Sequence, residues 1–311
     1  MVLLLQYMLL FASVLALVAL GGCFSEHSGI INLGLEGIMV VGALGGALVL
    51  KYMPVDVPSF ITVIVTLVGA IAFGMLYSAL LGVAAIHFNA DQTLIGTAMN
   101  MLATAVSAVI VKAINLSVDS SDVSSVVYYI DNRPDLTVQI GGFEFNWFML
   151  VAVVAVIAAY VVLYKTRFGL RLMACGENPQ AANSVGIDVF KMRWAGVLIS
   201  GMLGGLGGIA YITAGSSWTF ENGVAGYGFL ALAVMIFGQW KPFNICGAAM
   251  FFAVFKSLAN IADSTFLAQL HWSSNIYNMM PFVASMVILA FTSKNSMAPK
   301  AEGIPYDKGS R

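Results

Sequence analysis

Residues Tyr164–Trp194 read YKTRFGLRLMACGENPQAANSVGIDVFKMRW and form the most polar and most basic connection in a very apolar chain. The stretch contains five of the fourteen Lys and Arg residues, and apolar runs of membrane-spanning length lie on both sides of it. Within it, Asn178 can cap a helix, Pro179 suits the first helical position and Gly186 can end the helix. The stretch therefore predicts a short polar helix between two membrane spans, where a soluble partner could contact it.

The composition indicates that the solvent of this chain is lipid. Of its 311 residues, 60% are hydrophobic and 9% are charged, whereas soluble domains carry about 25% charged residues. No basic domain is present that could bind a nucleic-acid backbone. The cysteines Cys23, Cys175 and Cys246 are far apart and match no metal-ligand spacing. We expect neither a metal site nor a nucleic-acid partner.

Apolar runs predict an all-α polytopic membrane protein with about nine transmembrane helices. The predicted spans are Met1–Gly21, Gly29–Leu50, Ser59–Ile86, Asp91–Asn115, Trp147–Tyr164, Trp194–Ala214, Tyr227–Trp240, Phe243–Asn260 and Ile276–Thr292. A polar break over Gly22–Ser28 separates the first two spans. Residues 116–146 are expected to form a hydrophilic loop with a small hairpin around Gly141 and Gly142. The transmembrane domain is thus expected over 1–292, and a tail over 293–311.

The distribution of basic residues predicts the orientation. If the loop 165–193 is cytoplasmic, ten Lys and Arg residues lie on that side, and the other four of the fourteen, Lys51, Lys112, Arg133 and Lys256, lie outside. Because cytoplasmic loops carry an excess of Lys and Arg, we expect the N-terminus outside, the C-terminus inside and the loop 116–146 outside.

Two segments, Cys23–Gly46 and Ser216–Gly238, share an unusual order of residues. Each has Phe, then Glu, then a glycine-rich turn, then an apolar helix. This order is typical of an inverted internal repeat whose broken or re-entrant helices meet near the middle of the membrane. Coincidence is the alternative, because Gly is common in membrane helices. Glycine-rich runs at 42–46 and 201–208 further predict close helix packing.

Four motifs occur in order along the chain: FSEHSGIINLGLEG (24–37), TRFGLRLMACGENPQAANSVGI (166–187), FGQWKP (237–242) and AEGIPY (301–306). Together they resemble the ABC-transporter permeases of the branched-chain amino acid and simple-sugar type, in particular the branch that takes up nucleosides or simple sugars. The resemblance implies a multi-pass protein of a prokaryotic cytoplasmic (inner) membrane. The solute stays open among nucleosides, pentoses and riboflavin.

The resemblance also implies partners. A second permease subunit, identical or homologous, would complete the pore. Cytoplasmic ATP-binding subunits would supply energy, and an extracytoplasmic solute-binding lipoprotein would deliver the solute. No phosphate-binding loop of the form GxxxxGK[ST] occurs in the chain, so ATP and Mg are expected on the ATPase, and no cofactor or catalytic residue is expected here.

The segment 176–186 is similar to the coupling helix of such permeases, which sits in a groove of the ATPase. The residues expected to couple the two proteins are Gly176, Glu177, Asn178, Pro179, Ala181, Ala182 and Gly186. The alternative is purely structural: Asn178 caps the helix and Glu177 favours its N-terminal dipole.

Polar residues in the two glycine-rich segments are candidates for the translocation path. Asn32 and Glu36 are four residues apart, which on one helix face would let them share a polar pocket or a cross-helix hydrogen bond. Glu221 and Asn222 are the corresponding candidates in the second segment. Phe220, Trp218 and Tyr227 could stack on a nucleobase, although aromatic residues are also ordinary at membrane interfaces.

Two other function classes are compatible with a bundle of this kind. A secondary transporter driven by an ion gradient would also have broken helices, but it would need carboxylates deep within the spans, in which this chain is poor. An intramembrane enzyme would need paired catalytic groups, and His27, His87 and His271 stand alone.

Overall fold

The computed structural model describes residues 2–54, 56–129, 136–214, 219–261, 274–292 and 297–307. The residues that carry sequence expectations but lie outside these ranges are Arg133, Trp218, His271, Lys294, Lys308 and Arg311. The helices are α1 Val2–His27, α2 Leu35–Tyr52, α3 Ser59–Gly82, α4 Gln92–Val118, α5 Trp147–Lys165, α6 Arg167–Glu177, α7 Pro179–Ser184, α8 Val189–Ala214, α9 Tyr227–Phe237, α10 Pro242–Ile261 and α11 Ser274–Thr292. A π-helical turn, Val83–His87, extends α3.

The helices confirm a multi-pass membrane protein. Within the described ranges, seven helices are long and apolar enough to cross a bilayer, namely α1, α2, α3 with its π-helical turn, α4, α5, α8 and α10. The apolar helix α9 has only 11 residues, and α11 contains Pro281. The number of nine crossings and the inverted repeat therefore stay predictions.

The expected polar break at Gly22–Ser28 is wrong, because α1 runs without interruption to His27. Gly22 serves close packing instead: a Cβ added there would lie 3.0 Å from the Sδ atom of Met235 and 3.1 Å from Leu35 Cδ1. The chain leaves the helix just beyond, at Gly29, whose φ is +91°, in the left-handed region that glycine adopts most easily. Residues 28–34 then connect α1 to α2 without helix.

Helix α8 lies at the centre of the bundle and packs against α1, α2 and α3. Its glycine-rich run confirms the predicted close packing. A Cβ on Gly205 would overlap the carbonyl oxygen of Ala70 in α3, and a Cβ on Gly42 in α2 would overlap the backbone of Gly205. Small residues thus let three helix backbones meet.

The bundle has two polar ends of different character. One, the basic end, carries residues 165–193. The other, the acidic end, carries the described parts of the loop 116–146. There, strands β2 (Thr137–Ile140) and β3 (Phe143–Asn146) form the predicted hairpin, with positive φ angles at Gly141 and Gly142.

The acidic end also holds a pairing that the sequence did not predict. Strand β1 (Val127–Tyr128) pairs antiparallel with β4 (Thr219–Phe220), with Val127 opposite Phe220. The amide of Asn222 reinforces the pairing by donating to the carbonyl oxygen of Ser125 at 2.7 Å. The loop after α4 is therefore joined to the segment before α9.

Candidate functional site

The basic end presents the predicted short helix as α7, preceded by α6. The hydroxyl of Thr166 caps α6 by accepting the N–H of Gly169 at 3.2 Å. The side chain of Asn178 caps α7 by accepting the N–H of Ala181 at 3.0 Å, and Pro179 occupies the first turn. Gly186 follows the helix with a φ of +85°. The capping pattern read from the sequence is confirmed.

The predicted coupling residues divide into two sets by burial. The side chains of Glu177, Asn178 and Ala181 are exposed, as is Gly186, whereas Gly176, Pro179 and Ala182 are buried. The exposed set is available to a partner protein. The buried set holds α7 and the end of α6 against the bundle.

The buried face of α7 rests on a small apolar cluster apart from the main core. Cys175, Ala182, Val189 and Tyr306 form its buried part. Burial raises the pKa of the Cys175 thiol to about 11, so this cysteine is a packing residue and not a nucleophile at neutral pH. The cluster is small, and its aromatic member comes from the C-terminal segment.

Glu36 connects the two glycine-rich segments. It lies in the first turn of α2, and its carboxylate oxygens accept the N–H groups of Gly226 at 2.7 Å and Gly228 at 2.6 Å. These donors stand at the start of α9. The carboxylate is therefore placed where the positive ends of two helices come together.

The expectation that Asn32 and Glu36 lie on one helix face is wrong. Asn32 belongs to the non-helical connection before α2, because the chain is not helical from residue 28 to residue 34. Its amide donates to the hydroxyl of Ser200 at 2.8 Å, and its Oδ1 accepts the N–H of Gly34 at 3.1 Å. Asn32 is fully buried and joins this connection to α8.

Glu221 and Asn222 also point to different surroundings. Glu221 is exposed and accepts a hydrogen bond from the hydroxyl of Thr219 at 3.2 Å. Asn222 is buried, has a φ of +61° and donates to the loop after α4. Its Oδ1 atom has no hydrogen-bond partner among the described residues.

An aromatic cluster lies between α1, α8 and α9, and only its member Tyr227 was expected from the sequence. The ring of Tyr227 lies 4.6 Å from that of Tyr211 and 5.8 Å from that of Phe11, between centroids. The Nζ atom of Lys256 lies 5.7 Å from the centroid of Tyr227. The sequence signal was a lysine within the apolar run of α10, since ionisable residues inside spans are functional candidates.

The acidic end has a fixed negative charge. A backbone N–H and the hydroxyl of Ser121 hydrogen-bond to Asp119 and lower the pKa of its carboxyl. The hydroxyl and N–H of Ser124 do the same for Asp122. Asp119 is exposed and Asp122 is half-buried, so this surface presents negative charge to any partner that approaches from that side.

Comparisons with known proteins match this chain to one family and to several relatives. Residues 4–290 match the family described as the permease component of branched-chain amino acid transport systems. The chain is 38% identical over 309 residues to the guanosine ABC transporter permease protein NupQ of Bacillus subtilis, covering 97% of this chain and 96% of that protein. It is 36% identical over 308 residues to the nucleoside ABC transporter permease protein NupC of Lactococcus lactis, covering 97% and 95%. It is also 29% identical over 276 residues to a putative glucose ABC transporter permease, TsgC13 of Haloferax volcanii, covering 83% and 77%.

Proposed function

Because the chain belongs to the family of permease components of branched-chain amino acid transport systems, we propose that it forms part of the membrane channel of an ATP-driven importer for nucleosides. Its similarity over nearly its whole length to two permeases named for guanosine and for nucleosides carries this proposal. The lower similarity to a glucose permease makes simple sugars the second solute class. The chain is not itself an enzyme, because ATP hydrolysis belongs to a separate subunit of such transporters.

The proposal places the basic end in the cytoplasm. Charge supports this orientation, because ten of the fourteen basic residues then lie inside. The N-terminus and the acidic end, with the hairpin β2–β3, then face outward, where a solute-binding lipoprotein would dock. Residues 293–311 would form a cytoplasmic segment.

In this orientation α7 is the coupling helix. Its exposed residues Glu177, Asn178, Ala181 and Gly186 would contact a cytoplasmic ATPase, which would bind ATP and Mg. The burial of Gly176, Pro179 and Ala182 supports the complementary role of passing movement on to the bundle. A second permease subunit, identical or homologous, would complete the pore.

The contact of Glu36 with the start of α9 supports a path near the middle of the membrane. Two helix ends that meet there are the arrangement expected of an inverted repeat whose halves move relative to each other. Glu36 and Asn222 are kept as path residues together with Glu221. Asn32, which is buried and hydrogen-bonded through both its amide nitrogen and its amide oxygen, would position the first broken segment.

The aromatic cluster adds a solute-related feature. The rings of Tyr211 and Tyr227 offer flat surfaces on which a nucleobase could stack. Sugars would use the polar groups instead. A nucleoside carries both a base and a sugar, so it fits a path that contains an aromatic cluster and carboxylates.

Uptake by the reconstituted complex tests the proposal. The permease is placed in proteoliposomes with its ATPase, its partner permease and its binding lipoprotein, and uptake of labelled guanosine, ribose and glucose is measured. We expect ATP-dependent uptake of guanosine that excess unlabelled nucleoside suppresses. Uptake of a sugar alone would assign the sugar class. Uptake driven by an ion gradient without ATP would contradict the importer mechanism.

A further inference from the structure

The C-terminal segment 297–307 is docked on the basic end and bridges separate parts of the bundle. The N–H of Ala301 donates to the carbonyl oxygen of Gly176, at the end of α6, at 2.8 Å. The N–H of Gly303 donates to the carbonyl oxygen of Gly29, just beyond α1, at 3.2 Å. One short segment is therefore hydrogen-bonded both to the coupling region and to the connection between α1 and α2.

A buried arginine fixes the same segment to α8. Arg193 is only 1% exposed, and its Nη2 atom donates to the carbonyl oxygen of Ile304 at 2.9 Å. Its guanidinium also lies 5.9 Å from the ring centroid of Tyr306. In the described part of the chain no carboxylate pairs with Arg193, and its Nε atom has no hydrogen-bond partner. Since an uncompensated buried charge is costly, the carbonyl oxygen of Ile304 and the ring of Tyr306 help to stabilise this cation.

The ring of Tyr306 belongs to the small apolar cluster on which α7 rests. It is 3% exposed, packs edge-on against Phe190 at 5.4 Å between centroids, and belongs to the apolar cluster that holds Ala182 of α7. Tyr306 is the largest buried member of the cluster, while Ile187, Phe190 and Met192 pack against it only partly buried. Removal of the Tyr306 ring would therefore take away the largest fully enclosed apolar side chain beneath α7.

Gly176, near the end of α6, is tightly packed between the end of α1 and the C-terminal segment. A Cβ added there would overlap the carbonyl oxygen of His27 and would lie 3.2 Å from Pro299 Cβ. The end of α6 is thus enclosed between the end of α1 on one side and the C-terminal segment on the other. Movement of α6 and α7 has to displace both.

We propose that residues 297–307 act as a clasp that seats α7 on the bundle and transmits its displacement to α1 and α8. The proposal rests on the proposed function for the role of α7 in transport, but the clasp itself is a physical contact that exists or not in the isolated permease. Tyr306 and Arg193 are positioning residues, because they act through α7 and touch no solute.

Hydrogen exchange on the purified permease in lipid nanodiscs tests the clasp without reference to transport. Truncation after residue 296 and the single change Tyr306→Ala are compared with wild type. For both variants we expect amide exchange over residues 174–192 to rise about tenfold or more, because α7 loses its packing support. Exchange in α2 and α3 should stay unchanged.

Matched controls separate the clasp from the mere presence of a tail. Truncation after Asp307 keeps every contact described above and should leave exchange at the wild-type level. Ile304→Ala removes a side chain that is 55% exposed, while its backbone carbonyl still accepts the hydrogen bond from Arg193. This variant should also keep exchange at the wild-type level. Tyr306→Phe keeps the ring and should behave as wild type. If truncation after residue 296 prevents insertion, Tyr306→Ala decides the question.

The same variants in the reconstituted complex test transmission. We expect Tyr306→Ala to raise the ATP hydrolysed per nucleoside taken up about fivefold or more, with the Tyr306→Phe ratio near wild type. Unchanged exchange over 174–192 in both variants overturns the clasp. Raised exchange with an unchanged ratio overturns its role in transmission. If the wild-type complex takes up no nucleoside, the proposed function fails, while the exchange result still decides whether the clasp exists.

Discussion

Replacement of Glu36 tests the connection between the two broken segments. In Glu36→Ala the N–H groups of Gly226 and Gly228 lose the acceptor that they share. In Glu36→Gln one amide oxygen remains, but the charge is lost and the amide NH₂ faces a donor. The start of α9 should therefore loosen in both variants, and more in Glu36→Ala.

The expected magnitude follows from the two hydrogen bonds. Hydrogen bonds between neutral groups in membrane proteins average about 0.6 kcal/mol and reach about 1.7 kcal/mol, and an ionised acceptor roughly doubles their strength. At the average value, two such bonds correspond to about 2.4 kcal/mol for Glu36→Ala. Glu36→Gln, which keeps one neutral bond of about 0.6 kcal/mol, should cost about 1.8 kcal/mol on the same scale. At about 2–4 °C per kcal/mol, the value for domains of about 150–250 residues, the Glu36→Ala change lowers the unfolding midpoint by about 5–10 °C.

The thermal unfolding midpoint of each purified variant is measured in one detergent, alongside solute uptake. Glu221→Gln is the matched control, because it makes the same chemical change on an exposed side chain of the second segment, and it should cost under about 0.5 kcal/mol. We expect uptake to fall with the midpoint in the two Glu36 variants. If Glu36→Ala unfolds at the same temperature as Glu221→Gln, the reasoning is refuted.

Four further perturbations test other parts of the molecule. Gly205→Ala should destabilise the bundle by about 1–3 kcal/mol, because its new Cβ overlaps α3. Gly247→Ala, which has open space around the new Cβ, should be neutral or stabilising. Thermal unfolding of the two variants measures the difference. Asn178→Ala removes the cap of α7, worth about 1 kcal/mol, and should reduce the ATP hydrolysis that loaded binding protein stimulates, while Asn178→Ser should preserve it. Burial raises the pKa of Glu302 to about 7 from an ordinary value of 4.5. The protonated side chain therefore favours docking of the C-terminal segment fully below pH 4.5, and this contribution is lost as the pH rises through about 7. Protease cleavage of the segment should accelerate over that pH window, and Glu302→Gln should abolish the pH dependence. Ser184→Cys, exposed on α7, should react with an impermeant maleimide only in inside-out vesicles, and labelling in right-side-out vesicles would reverse the proposed orientation.

Local patterns in the sequence predicted local structure well. Asn178 and Pro179 start α7 and Gly186 follows it as expected, because capping depends on residues within one turn. The hairpin β2–β3 followed from two adjacent glycines in the same way. The apolar runs located the long helices, since lipid imposes their length.

The failures have a common physical cause. The polar run 22–28 predicts a break between spans, but Gly22 lies inside α1 and makes room for Met235 from another helix. The spacing of Asn32 and Glu36 implied a shared face only on the assumption of an unbroken helix. The pairing of β1 with β4 joins residues far apart in sequence, and no local signal announces it.

The candidate site was therefore predicted in part. The sequence predicts the position of α7, but it does not predict the residues of the C-terminal segment that pack against the buried side of α7. Arg193 was counted only as one of several basic residues, although it is buried and hydrogen-bonded to Ile304. A motif such as AEGIPY at the chain end indicates family membership without indicating what it contacts.

Arg193 and Ile304, which are hydrogen-bonded, lie 111 residues apart in the chain. Their contact can therefore form only late in synthesis. The ribosome completes α7 long before it makes Tyr306, so in the nascent chain α7 lacks its packing against this aromatic ring. A permease that is still being synthesised, or one that a premature stop codon has shortened, would present an unseated α7. If α7 is the coupling helix proposed above, productive pairing with the ATPase subunit would begin only after residues 297–307 have been made.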